Sequence, residues 1–142
     1  VVDIRRTLTL IRGLPGSGKS TIAKRLNAAH VEADMYFVGS DGEYHFDPIK
    51  LRDAHAWAQE RVRQLMACFV DVVVSNTFSQ MWELKPYLKL AQQYGYKVMV
   101  VTIETDLSDE ELAARNIHGC PAEKIKIMRE RWEPYRDVGE EK

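Results

Sequence analysis

Eight residues, Gly13-Leu14-Pro15-Gly16-Ser17-Gly18-Lys19-Ser20, carry the spacing G-x-x-x-x-G-K-[ST]. Glycines so placed let backbone N–H groups converge on phosphate oxygens, and a helix starting at the lysine adds the positive end of its dipole. The chemistry implied is binding of a nucleoside triphosphate, ATP, with Mg²⁺. Gly13, Pro15, Gly16, Ser17, Gly18, Lys19, Ser20 and Thr21 form the expected contact set. Lys19 is expected to reach the β- and γ-phosphates and act in catalysis, and the Ser20 hydroxyl to hold the metal.

Transfer of a phosphoryl group needs an acceptor hydroxyl and a carboxylate to take its proton. In parallel sheets ligands collect outside the carboxyl ends of the strands, and Asp34 closes the second expected strand. It is the candidate base; a solvated loop aspartate is the alternative reading. Asn76 and Thr77 end the third strand and are candidates for hydrogen bonds to substrate or metal-bound water, or else plain turn residues. That strand end carries no aspartate, which disfavours a motor ATPase or a switch GTPase. Arg115 ends a short helix just before Gly119-Cys120-Pro121. A lid there would bring its charge onto the transferring group, an effect of about 10³-fold in rate elsewhere; a surface arginine completing a helix is the alternative. Tyr36, Phe37, Tyr44, Phe46, Phe78 and Trp82 fall on the presumed acceptor side, where rings either stack a base or pack the core.

These residues need a scaffold. Thr7 to Arg12 reads as a strand, and Ile22, Ala23 and Leu26 give residues 19–29 a helical period. A second strand runs near Val31 and ends at Ala33-Asp34, followed by a loop or small hairpin from Met35 to Asp47. Asp47-Pro48 is an N-cap and first-turn pair for a long amphipathic helix reaching Phe69. Val70 to Ser75 is a β-branched strand. Ser79 is the expected cap of a third helix that contains Pro86 and stops at Gly95; Lys97 to Ile103 is the fourth strand. Ser108 and Glu111 form a capping box for the helix ending at Arg115 or Asn116, and a last helix carries Ile125, Ile127 and Met128. Alternation of this kind predicts an α/β fold: a parallel sheet of four to five strands flanked by helices, with a small lid, in a single domain over residues 1–142.

Composition agrees. Of 142 residues, 45% are hydrophobic and 29% charged, an ordinary globular balance. The net charge of −1 supplies no global attraction to nucleic acid or membrane, so a polyanion needs a local patch. Cys68 and Cys120 lie in no metal-ligand spacing and suit a reducing compartment. The apolar run Thr7 to Ile11 is too short for a membrane span or signal segment, so a cytoplasmic setting is expected.

Taken in order, GLPGSGKST, ADMYF, YHFDP, SNT followed by WELKPY, and RNIHGCP resemble the polynucleotide-kinase-like P-loop kinases over about residues 7–132. The resemblance implies the P-loop NTPase fold, a general base at Asp34 and a lid arginine at Arg115. Two positions depart from the phage end-kinases, which carry an arginine at Phe37 and an aspartate at Asn76. The expectation is therefore a kinase moving the γ-phosphate of ATP to a hydroxyl of a DNA substrate, leaning to the hydroxymethyl group of 5-hydroxymethyluracil in phage DNA. Tyr36, Phe37, Asn76, Thr77 and Phe78 would contact it. A polynucleotide 5′-hydroxyl kinase, a nucleoside or small-metabolite kinase, and an idle ATP-binding module are the alternatives. The setting would be the host cytoplasm if the chain is phage-encoded; the oligomeric state is left open.

Overall fold

The computed structural model describes residues 3–137, so the extreme ends of the expected 1–142 domain lie outside the described residues. Four strands, β1 (Thr7–Arg12), β2 (Ala29–Val31), β3 (Val72–Asn76) and β4 (Lys97–Thr102), form one parallel sheet in the order β2-β3-β1-β4. Five α-helices accompany it: α1 (Lys19–Arg25), α2 (Leu51–Ala67), α3 (Met81–Tyr94), α4 (Asp109–Arg115) and α5 (Ala122–Glu130).

The central strands β1 and β3 are largely buried on both faces and read as near-continuous apolar runs, whereas the edge strand β4 leaves Val98 and Met99 exposed. One face sets Leu8, Leu10, Val31, Val72 and Val74 against Ala54, Ala58, Val62 and Met66 of α2 and Leu84, Tyr87, Leu88 and Ala91 of α3. Alternate residues Ile11 and Val73 meet Ala23 of α1 on the other. A third cluster joins Leu14 of the glycine loop to Leu112 of α4 and Ile125 of α5. The expected lid is thus packed onto the phosphate loop by apolar contact. Burying each such aliphatic side chain contributes about 1.5–3 kcal/mol.

Several boundaries differ from expectation, each for a local reason. Helix α1 stops at Arg25 because Leu26 is already extended, and both Ile22 and Leu26 are exposed. The strand β2 ends at Val31, so Asp34 sits inside a 3₁₀ turn over Ala33–Phe37. Val38 and Tyr44 then bridge as a small antiparallel hairpin. Asp47 caps as expected, accepting from the Ile49 N–H, but over a 3₁₀ turn at Pro48–Lys50 that leads into α2. That helix ends at Ala67, two residues early, where Phe69 takes a left-handed backbone (φ 56°) and turns the chain into β3. Ser79 is not the cap of α3. The positive φ of Phe78 (49°) turns Ser79 inward, where its hydroxyl donates to Glu83 Oε2 at 2.8 Å, and Gln80 caps instead. Gly95 closes α3 in the left-handed conformation, and the Ser108–Glu111 capping box opens α4.

Arg12, at the end of β1, is fully buried. Its Nη2 donates to the carbonyls of Phe78 (2.6 Å) and Glu133 (2.7 Å), and its guanidinium lies 4.4 Å from the Trp132 ring centroid. This clamp ties the segment after α5 to the carboxyl end of the sheet. No helix among the described residues is long and apolar enough to cross a membrane.

Candidate active site

The loop after β1 has the backbone that its glycines were expected to permit. Gly16 (φ 81°) and Gly18 (φ 99°) both occupy the left-handed region. A β-carbon on Gly16 would collide with the Leu112 carbonyl, so this glycine also lets α4 approach the loop. One on Gly13 would come within 2.6 Å of Ser17 Oγ, while Gly18 opens onto empty space. The Gly13 N–H is held by the Thr77 carbonyl at 3.2 Å, which anchors the loop to the end of β3. Ser17 Oγ is buried without a hydrogen-bond partner among the described residues.

Lys19 folds back over the loop and donates to the Leu14 carbonyl at 3.2 Å. Burial lowers its pKa to about 8, against the opposing pull of the Glu32 and Asp34 carboxylates. Those two carboxylates therefore share one electrostatic site with the lysine. The Ser20 hydroxyl donates to Glu32 Oε2 at 2.7 Å. Hydroxyl and carboxylate oxygens are the donor set that Mg²⁺ takes, so the residues present fit that ion.

Asp34 is reached from both sides. The Tyr44 hydroxyl, on the hairpin, donates to its Oδ1 at 2.9 Å, and His118 Nε2, on the segment between α4 and α5, lies 3.7 Å from its Oδ2. The Tyr44 and His118 rings lie against each other at 4.3 Å between centroids. Asn116 holds the His118 turn, its Oδ1 accepting from the N–H groups of His118 (2.9 Å) and Cys120 (3.0 Å). Burial, and then the Asp34 charge, push the Tyr44 hydroxyl pKa up, so it stays a donor. The Asp34 side chain is still 41% exposed to solvent.

The proposed substrate residues divide. Tyr36 lines an open cleft of about 700 Å³ with Val38, His45, Phe46 and Lys50 beside Asp34's turn. Phe37, 5% exposed, and Phe78, 2% exposed, are core residues: Phe37 packs edge-on to Tyr44 and Phe46, and Phe78 edge-on to Tyr87. This burial corrects the expectation that they stack a base. Phe37 contributes only to the cleft wall. Asn76 Oδ1 accepts from the Ala33 N–H at 3.0 Å, so this side chain fixes the turn that carries Asp34. Thr77 serves through its backbone carbonyl. Arg115 is exposed, one turn beyond the Leu112–Gly16 contact, and makes no hydrogen bond or ion pair among the described residues.

Glu32, Tyr44 as a partner of Asp34, and His118 were not singled out as site residues from sequence. The signal for His118 was its place in RNIHGCP, and for Glu32 its position two residues before Asp34.

Residues 8–138 match the model of an AAA domain family, AAA_33. NEDD4-binding protein 2 of Homo sapiens is 39% identical over 92% of this chain, which spans only 8% of that relative's length. Among solved structures, a chain of the Pnkp1/Rnl/Hen1 RNA repair complex is similar with a TM-score of 0.65 at 21% identity, over 93% of this chain and 48% of that one. The Mycobacterium tuberculosis APS kinase CysC is similar with a TM-score of 0.59 at 20% identity, over 81% and 70%. The fold is that of the P-loop kinases.

Proposed function

The chain belongs to this AAA domain family, and from that premise we propose that it is an ATP-dependent kinase acting on a hydroxyl of a nucleic-acid substrate. One observation carries the reading: the Ser20 hydroxyl, next to Lys19 in the phosphate loop, is hydrogen-bonded to Glu32, two residues before Asp34, so the cradle for the donor and the base for the acceptor meet at one end of the sheet. The structural likeness to a chain of an RNA repair complex supports a polynucleotide acceptor. Burial of Phe37 and Phe78 removes the main argument for a hydroxymethyluracil acceptor.

The loop N–H groups and Lys19 bind the triphosphate. Mg²⁺, held through Ser20, would neutralise charge on the β- and γ-phosphates when bound. The acceptor enters along the Tyr36–Phe46 cleft and its hydroxyl displaces Tyr44 from Asp34 Oδ1. Asp34 takes the hydroxyl proton as that oxygen bonds the γ-phosphorus, and ADP leaves with the electrons of the broken bond. Arg115 faces the transferring group when the α4–α5 lid moves, and the apolar lid contacts exclude water.

Labelled ATP offered with 5′-hydroxyl RNA and DNA oligonucleotides, hydroxymethyl-pyrimidine DNA and free nucleosides tests the reading. Label is expected on the 5′-hydroxyl oligonucleotides. Transfer to nucleosides alone would make the chain a small-molecule kinase, and slow ATP turnover indifferent to every acceptor would make it a binding module.

A further inference from the structure

A carboxylate near the phosphate loop usually helps hold the nucleotide's metal ion, and the end of β3 lacks one: Ser75 and Asn76 stand there. Both side chains are committed elsewhere. Ser75 Oγ lies 2.6 Å from His30 Nε2, and Asn76 Oδ1 accepts from the Ala33 N–H. The neighbouring strand β2 pairs Val31 with Val74, so the next residue along, Glu32, follows the register to the level of Ser75. Its carboxylate is only 15% exposed, with Oε2 on the Ser20 hydroxyl at 2.7 Å and Oε1 3.8 Å from His30 Nε2.

A largely buried carboxylate beside a triphosphate cradle poses an electrostatic problem. Without a cation it repels the incoming phosphates, and with one it becomes an attractive oxygen donor. We propose that Glu32, delivered by β2 instead of β3, is the carboxylate that holds the divalent cation of the bound nucleotide in partnership with Ser20. Glu32 thereby makes nucleotide binding depend on the metal. This inference rests on the ATP-binding reading above.

The full chain is tested by calorimetric titration with ATP, once with Mg²⁺ and once with EDTA, in wild type, Glu32→Gln, Ser20→Ala and the double variant. Wild type is expected to bind ATP much more tightly with Mg²⁺. Glu32→Gln keeps the shape and an acceptor for Ser20, and should cut that ratio about tenfold or more, chiefly by strengthening metal-free binding and weakening the metal complex. The double variant should lose little beyond either single one, as for two groups acting on one ion. Mn²⁺ affinity of the ADP complex, read by electron paramagnetic resonance, should weaken by a similar factor. An unchanged ratio and unchanged Mn²⁺ affinity in Glu32→Gln, with folding intact by circular dichroism, would reduce Glu32 to a counter-ion of Lys19 and overturn the inference alone. A wild type that binds no ATP under either condition would overturn the kinase reading and this inference together.

Discussion

The Tyr44 hydroxyl donates to Asp34 Oδ1 at 2.9 Å, which places a hairpin side chain on the oxygen to which the proposed mechanism brings the acceptor hydroxyl. Removing it leaves the ring packing with Phe37 and Phe46 in place. A hydrogen bond worth about 0.5–1.5 kcal/mol then no longer competes with the acceptor. Tyr44→Phe should raise kcat/KM for the acceptor about two- to tenfold with the ATP KM unchanged. A fall in kcat would instead make Tyr44 the group that orients Asp34.

Asp34→Asn keeps the acceptor geometry for Tyr44 and loses the proton sink. Transfer should drop about 10²- to 10⁴-fold, the range for a general base. ATP affinity should stay near wild type or improve, because one negative charge near Lys19 is gone. Single-turnover rates and a parallel ATP titration separate the two quantities. A variant that keeps most of its turnover would remove Asp34 from the mechanism.

Most of the scaffold was legible because its signals are local. The glycine loop, the Ser108–Glu111 box, the Gly95 stop and the β-branched run of β3 each depend on neighbours within a few residues. Asp34, expected to close the second strand, lies three residues past its end, on a 3₁₀ turn fixed by Asn76, a residue 42 positions away in the chain. Long-range partners of this kind leave no periodicity. The same holds for Arg12, whose clamp on Phe78, Trp132 and Glu133 joins three distant segments, and for Glu32, whose partner Ser20 lies on another element. Aromatic side chains misled for a related reason: composition places Phe37 and Phe78 near the cleft, and only packing decides which face of a ring stays free.

Arg115 is exposed at the end of α4, and the Leu112 turn before it is pressed on Gly16. In the proposed mechanism its charge acts when phosphoryl charge develops, not when ATP first binds. Arg115→Ala should lower kcat about 10³-fold while moving the ATP KM by much less. Rapid-quench measurement of the transfer step checks this. A change confined to KM would reduce the residue to ground-state binding.

Lys19 offers a test that needs no acceptor. Burial brings its pKa to about 8 in the nucleotide-free protein. A triphosphate in the cradle favours the ammonium and raises that pKa, so binding takes up a proton wherever the free lysine is neutral. The sign follows from linkage: affinity is level below about pH 8, where both forms are protonated, and falls by up to tenfold per unit above it until the bound lysine also deprotonates. ATP titrations from pH 7 to 9.5, run in two buffers of different ionisation enthalpy, should show this fall with a growing proton uptake. Lys19→Arg keeps its charge throughout and should give a weaker but level profile. Lys19→Ala should bind poorly at every pH. A level wild-type profile would mean that the lysine is fully charged in the empty site, and that Glu32 and Asp34 outweigh its burial.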